Sequence, residues 1–146
     1  MSQCPCHSGL AYSECCEVVI AGAPAPSPER LMRSRYTAFA TGKVDYLLKS
    51  WHPSTRPSTL DLPENTQWFD LQITDASEQD QRGRVSFKAR FKENNEWFEL
   101  VETSDFERQD QHWMYIDGNA EFILLKPGRN DLCLCGSERK WKKCCG

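Results

Sequence analysis

The spacing of apolar positions along this 146-residue chain changes period once. Met32, Tyr36, Phe39 and Ala40 recur at helical spacing and fall on one face. Ser27 suits an N-cap, Pro28 the first helical position and Glu29 the first turn. Gly42 then stops the helix. Val44, Leu47, Leu48 and Trp51 follow at i, i+3, i+4 and i+7, which predicts a second helix over about 43–51 that Pro53 ends. Residues 53–66 hold three prolines and read as a loop. Beyond them the period is two. Phe69, Leu71 and Ile73 alternate with Asp70 and Gln72, and Gln79 to Gly83 make a turn. Val85, Phe87, Ala89 and Phe91 alternate with Arg84, Ser86, Lys88 and Arg90, the cleanest strand pattern in the chain. Turns at Glu93-Asn94-Asn95 and Gln109-Asp110-Gln111 bracket a long strand from about Glu96 to Arg108. A strand over His112–Asp117 follows. Gly118-Asn119 interrupts it, and Phe122 to Leu125 form a last short pairing.

Two helices followed by an antiparallel meander predict an α+β domain, with N-terminal helices packed on one face of a curved antiparallel sheet. The pattern divides the chain into a short unit over 1–22, the α+β domain over 23–125 and a second short unit over 126–146. The three prolines between Gly22 and Pro28 make a stiff link between the first two, and Val18-Val19-Ile20 gives the first unit an apolar patch to pack with.

All eight cysteines lie in the two short units, in one repeated spacing, C-x-C-x8-C-C. The first set is Cys4, Cys6, Cys15 and Cys16; the second is Cys133, Cys135, Cys144 and Cys145. Four soft thiolates are the ligand count of a closed tetrahedral site, with Zn2+ the default occupant of each unit. Neither unit is long enough for a core of its own, so a bound metal would supply its folding energy. A disulfide framework fits less well, because such scaffolds spread their cysteines through the chain and adjacent or i,i+2 cysteines bridge only with strain. An iron–sulfur cluster or a single iron uses the same ligands, and spacing does not separate either from zinc.

The second unit, Cys133-Leu134-Cys135-Gly136-Ser137-Glu138-Arg139-Lys140-Trp141-Lys142-Lys143-Cys144-Cys145-Gly146, resembles the SEC-C motif, the zinc-binding tail of the bacterial preprotein translocase ATPase. It departs in ending on Cys145, where the translocase commonly has histidine. In the translocase that tail contacts an export chaperone and the ribosome, so the resemblance implies docking to a protein or ribosomal partner rather than catalysis. The first unit keeps the cysteines and, at Tyr12, the aromatic that Trp141 supplies. It has His7 in place of Gly136, and Leu10, Ala11, Ser13 and Glu14 in place of the basic residues. His7 reads as a turn residue, with a role as substitute ligand the alternative. Charge separates the units further. Four thiolates and one divalent ion leave −2, which Arg139, Lys140, Lys142 and Lys143 offset in the second unit and Glu14 and Glu17 worsen in the first. The first unit is therefore expected to release metal sooner.

The middle of the chain resembles the nuclear-transport-factor-2-like fold, a cone whose helices and bent sheet enclose a pocket. The residues that carry this are Arg35-Tyr36-Thr37-Ala38-Phe39, Val44-Asp45-Tyr46-Leu47, Phe106, Trp113, Tyr115 and Asp117-Gly118. With Leu31-Met32-Arg33-Ser34-Arg35-Tyr36, Trp51-His52-Pro53 and Pro127-Gly128-Arg129-Asn130-Asp131 included, the whole arrangement resembles the YchJ family, one SEC-C motif at each end of such a domain. That family carries no established activity to bring across.

Fold does not fix chemistry here. His52, Asp70, Glu99, Glu102, Asp105 and Tyr115 are the polar candidates for an acid–base enzyme of isomerase, dehydratase or hydrolase type. Alternation puts Glu99 and Thr103 on one face and Leu100 and Glu102 on the other, without saying which face is concave. The aromatics Tyr36, Phe39, Trp51, Trp97, Trp113 and Tyr115 read as core rather than ligand cage. No catalytic residue is assigned, and the middle domain reads as scaffold or small-ligand pocket. The net charge is −3, which argues against nucleic acid as a partner. Residues 126–146 hold six basic and two acidic side chains, so any phosphate contact belongs to that tail. No apolar stretch approaches a membrane span. The missing secretory signal and the need for reduced thiols both point to the cytoplasm.

Overall fold

A computed structural model of the chain describes residues 3–60, 62, 66–94, 96–125 and 140. Among these, a turn of 3-10 helix (Tyr12–Glu14) and α-helices α1 (Cys16–Ile20), α2 (Pro28–Thr41) and α3 (Val44–Lys49) precede four strands. The strands are β1 (Thr66–Gln79), β2 (Arg82–Glu93), β3 (Glu96–Gln109) and β4 (His112–Leu125), in one antiparallel sheet of order β1-β2-β3-β4. The expected α+β class, with helices on one face of a curved sheet, is the fold observed.

The helix signals work as the sequence suggests. Ser27 Oγ accepts from the Arg30 amide, Pro28 opens α2, and Gly42 ends it at φ 76°, in the left-handed region that glycine adopts at least cost. Helix α3 stops at Lys49, short of the expected Trp51. The chain leaves it to pair with β4 instead: Tyr115 N donates to Ser50 O and His52 N donates to Tyr115 O, making a parallel bridge between Trp51 and Tyr115.

Two strand expectations change. Phe69 does not share a face with Leu71 and Ile73. A bulge between Trp68 and Asp70 turns Trp68 toward the helices and sends Phe69 to the opposite face, where its ring lies 4.7 Å from that of Trp97. The expected break at Gly118-Asn119 does not occur either. Strand β4 runs unbroken and pairs with β3 along its length. Its irregularity falls at Ile116, between the pairs Phe106–Tyr115 and Asp105–Asp117. Gly118 is needed for space: a Cβ there would meet the Glu102 carboxylate and, at 3.0 Å, Ser104 Oγ.

The core lies between α2 and the face of the sheet carrying Leu71, Val85, Phe87, Ala89, Phe91, Leu100, Phe106 and Trp113. Helix α2 is buried on more than the expected stripe. Leu31, Met32, Ser34, Arg35, Tyr36, Thr37 and Ala38 are all buried, whereas Phe39 is half-buried and Ala40 exposed. The sheet covers one side, and the first cysteine unit covers another. The buried Ser34 hydroxyl on α2 is satisfied: Ser34 Oγ donates to Leu31 O and lies 2.7 Å from Tyr46 Oη.

The start of α2 rests directly on β2, where a Cβ at Gly83 would run into the Pro28 ring and come within 3.1 Å of Trp113. Both of these residues are buried. Gly83→Ala should therefore destabilise the chain by about 1–3 kcal/mol, read as a lower urea midpoint. An unchanged midpoint would mean that the helix can shift freely on the sheet.

Candidate functional site

Two features stand out, one on each side of α2. The first is the N-terminal cysteine unit. Cys4-Pro5-Cys6-His7 forms a tight turn closed by His7 N donating to Cys4 O. His7 takes φ 63°, in the left-handed region that glycine adopts at least cost. The 3-10 turn and α1 then return Cys15 and Cys16. The four sulfurs lie within 4.8 Å of one another, and all four residues are buried. Cys6 and Cys15 Sγ are 3.6 Å apart, and Cys15 and Cys16 Sγ 3.9 Å. A metal–sulfur length of about 2.3 Å puts tetrahedral sulfurs about 3.8 Å apart, so the spacing suits one ion. It is too tight to enclose a multi-iron cluster.

Crowding makes the thiols unequal. The hydrogen bond with Cys16 pulls the Cys6 thiol down to about 4 against the cost of burial, and the same bond pushes Cys16 up. Ser8 Oγ lies 3.2 Å from Cys15 Sγ, and Thr37 Oγ1 of α2 lies 3.8 Å from Cys4 Sγ.

A cation that the unit's own sequence lacks comes from α2. Arg33 Nη1 donates to Cys6 O at 2.9 Å, and its Nε donates to Glu29 at 3.0 Å. Burial works against the Arg33 charge, but Glu29 and Cys6 outweigh it and raise its pKa. The expectation that the first unit sheds metal sooner counted only charges within the unit. Arg33 and the burial of the sulfurs both act against it. His7 points away from the sulfurs: its ring packs edge-on against Tyr36, and Nδ1 lies 3.9 Å from Asp70. Val19 packs the unit onto the body, while Val18 stays 45% exposed. The second quartet, Cys133, Cys135, Cys144 and Cys145, lies outside the described residues, as do Arg139, Lys142 and Lys143. Lys140 is described and is exposed.

The second feature is a cavity of about 420 Å³ between α2, the segment after α3 and the sheet. Its face of β3 is the one carrying Leu100 and Glu102. Four aromatics expected to be core line it: Tyr36, Phe39, Trp51 and Tyr115, joined by Trp68, Phe91 and Phe122. Trp113 is core, and Trp97 is buried on the other face of the sheet against Phe69.

Of the six polar candidates, only Glu102 and Tyr115 reach the cavity. Ser104 Oγ donates to Glu102. Burial, then the charge of Glu102, pushes the Tyr115 phenol up to about 12, so it stays protonated. His52 lies elsewhere, between Ser54, Gln109 and Glu107. Asp70 is exposed beside His7, and Asp105 accepts from Arg84 Nε on the outside of the sheet. Glu99 points to the face opposite Glu102. Arg35, the residue that sequence reasoning passed over, is 2% exposed and lines the cavity. Its signal was an arginine inside an otherwise apolar helical face.

The comparisons agree with this picture. Residues 27–118 match the family described as the YchJ middle NTF2-like domain, and residues 129–146 match the SEC-C motif. The chain belongs to the YchJ family. The solution structure of a SEC-C motif containing protein from Rhodopseudomonas palustris is similar at 32% identity and a TM-score of 0.72. That match covers 77% of this chain and 94% of the other. A crystal structure of a SEC-C motif containing protein from Psychrobacter arcticus is similar at 27% identity and a TM-score of 0.67, over 98% of this chain and 94% of the other. The chain thus carries a SEC-C motif and a cysteine cluster that could bind a metal ion. No helix among its described residues is long and apolar enough to cross a membrane.

His7 tests the ligand set. His7→Gly should leave the metal content per chain unchanged, since the ring faces Asp70 and glycine tolerates the turn. Elemental analysis showing a lost ion would make His7 a ligand. Arg33→Ala should speed metal release to a chelator, because a charge beside the thiolates is removed; an unchanged release rate would deny Arg33 that part.

Proposed function

We propose that the protein is a zinc-binding docking protein with three parts. The first cysteine quartet holds a structural Zn2+ that fixes the N-terminal unit onto α2. The middle domain offers a small-ligand cavity, and the C-terminal unit, with a second Zn2+ on Cys133, Cys135, Cys144 and Cys145, engages a protein or ribosomal partner. The observation that carries the structural role is the burial of all four N-terminal sulfurs in one core cluster with Leu31, Met32 and Tyr36. A site for delivering metal needs an open coordination position and an accessible ion; this quartet offers neither four-ligand vacancy nor exposure. Docking is supported by the SEC-C match over residues 129–146 and by the basic side chains within it. Holding metal on thiolates in both units needs reduced cysteines, which fits a cytoplasmic protein.

An open cavity favours a ligand-binding domain over a pure scaffold, since scaffold cores are filled. An enzyme remains the alternative from another class, on the ground that Glu102 and Tyr115 both reach the cavity.

Docking is tested with purified ribosomes and the full chain. Cosedimentation should occur at low salt and fade as salt rises, because screening weakens contacts between basic side chains and phosphate. Replacing Arg139, Lys140, Lys142 and Lys143 by serine should reduce binding by about tenfold or more. Binding that survives this replacement would remove the basic face from the account.

A further inference from the structure

The cavity is chemically lopsided. Its walls are mostly aromatic and aliphatic, and among the described residues that line it Arg35 is the one buried cation. Both hydrogen bonds of Arg35 leave from Nη1, to Leu47 O at 2.9 Å and Ser50 Oγ at 2.7 Å. Among the described residues nothing accepts from its Nε or Nη2, and no carboxylate comes within 4.0 Å of it. The rings of Tyr115 and Trp51 flank the guanidinium at 4.4 and 5.1 Å. Such cation–π contacts offset part of the cost of burying the charge. A buried charge with no ion pair is nonetheless unfavourable, and a ligand oxyanion would supply the missing partner. Burial lowers the Arg35 pKa only to about 10, so the cation persists at neutral pH.

Two carboxylates share the cavity wall. Glu93 accepts from Thr66 Oγ1 at 3.0 Å, and Glu102 accepts from Ser104 Oγ. Glu102 retains unused acceptor capacity, since an ionised carboxylate has about four lone-pair sites. A ligand that brought only negative charge would be repelled by these groups. One that also carries a hydrogen-bond donor would satisfy both ends of the cavity.

We propose that the cavity binds a small aromatic carboxylate that also carries a hydroxyl or amino group. Its carboxylate sits on the unpaired edge of Arg35, its ring packs against Tyr36 and Trp68, and its donor group hydrogen-bonds to Glu102. The volume suits a molecule of this size, being within the range of about 300–1,000 Å³ typical of small-molecule sites. Arg35 is a binding residue here, and Gly118 positions Glu102 by leaving room for its carboxylate. This inference rests on reading the cavity as a ligand site.

The test is calorimetric titration of the full chain at neutral pH with four probes: 4-hydroxyphenylacetate, its amide, phenylacetate and tyramine. The expected order puts 4-hydroxyphenylacetate first, with a dissociation constant about tenfold or more below that of the amide. Phenylacetate should be weaker than 4-hydroxyphenylacetate, and Glu102→Gln should narrow that gap while keeping the preference for acid over amide. Arg35→Met should erase the acid preference; if that variant does not fold, the acid–amide comparison on the unchanged chain still decides. Equal binding of acid and amide, or tightest binding of tyramine, would overturn the ligand class while leaving a ligand site standing. No saturable heat with any probe up to about 10 mM would overturn the ligand class and the ligand-site reading together.

Discussion

The packing of four buried sulfurs against one helix organises this molecule. Helix α2 has no solvent face of ordinary width. The sheet takes Met32, Arg35 and Tyr36, and the N-terminal unit meets Arg33 and Thr37. Thr37 can be buried in mid-helix because the unit meets it at Cys4, while Ser34 is met by Tyr46 of α3. Without the unit, groups now shielded would face water, and α2 would have only the sheet to hold it. The unit in turn has no core of its own: its buried apolar members belong to the domain's cluster. A metal on the quartet would stabilise more than a dozen residues of loop, because it would fix the surface that covers α2.

The same helix connects the two sites. Arg33 reaches toward Cys6, while Arg35 and Tyr36 line the cavity. Tyr36 also meets His7 of the cysteine unit on one edge and Trp68 of the cavity wall on another. Arg35 further ties α2 to the end of α3 through Leu47 and Ser50, just where the chain leaves α3 to bridge β4 at Tyr115. The cavity floor is therefore set by backbone pairings that are long-range in sequence, and its polar groups arrive from α2 and from all four strands.

Local signals were legible and tertiary ones were not. The N-cap at Ser27, the stop at Gly42, the hairpin turns and the clean alternation of β2 all follow from chemistry within a few residues. So does the cysteine quartet, since repeated spacing of eight thiols is unlike chance. The bulge that turns Phe69 outward was hidden, because strict alternation assumes an unbroken register. Gly118 looked like a strand break; its reason is the Glu102 carboxylate on the neighbouring strand. Tyr36, Phe39, Trp51 and Tyr115 were read as core because periodicity reports the inward face and says nothing of whether that face is filled. Arg33 and Arg35 illustrate the same limit: two arginines two residues apart on one helix serve different sites, and only the packing on each side of α2 separates them.

The central claim is that the N-terminal cysteine unit is a working part of the domain's core. Its most direct test is amide hydrogen exchange on the full chain with Cys133, Cys135, Cys144 and Cys145 changed to serine, so that any bound metal belongs to the first quartet. Exchange is compared before and after chelation. The account predicts that protection falls through α2 as well as through residues 3–20, with the central strands less affected. Loss of protection confined to residues 3–20, with α2 unchanged, would contradict it.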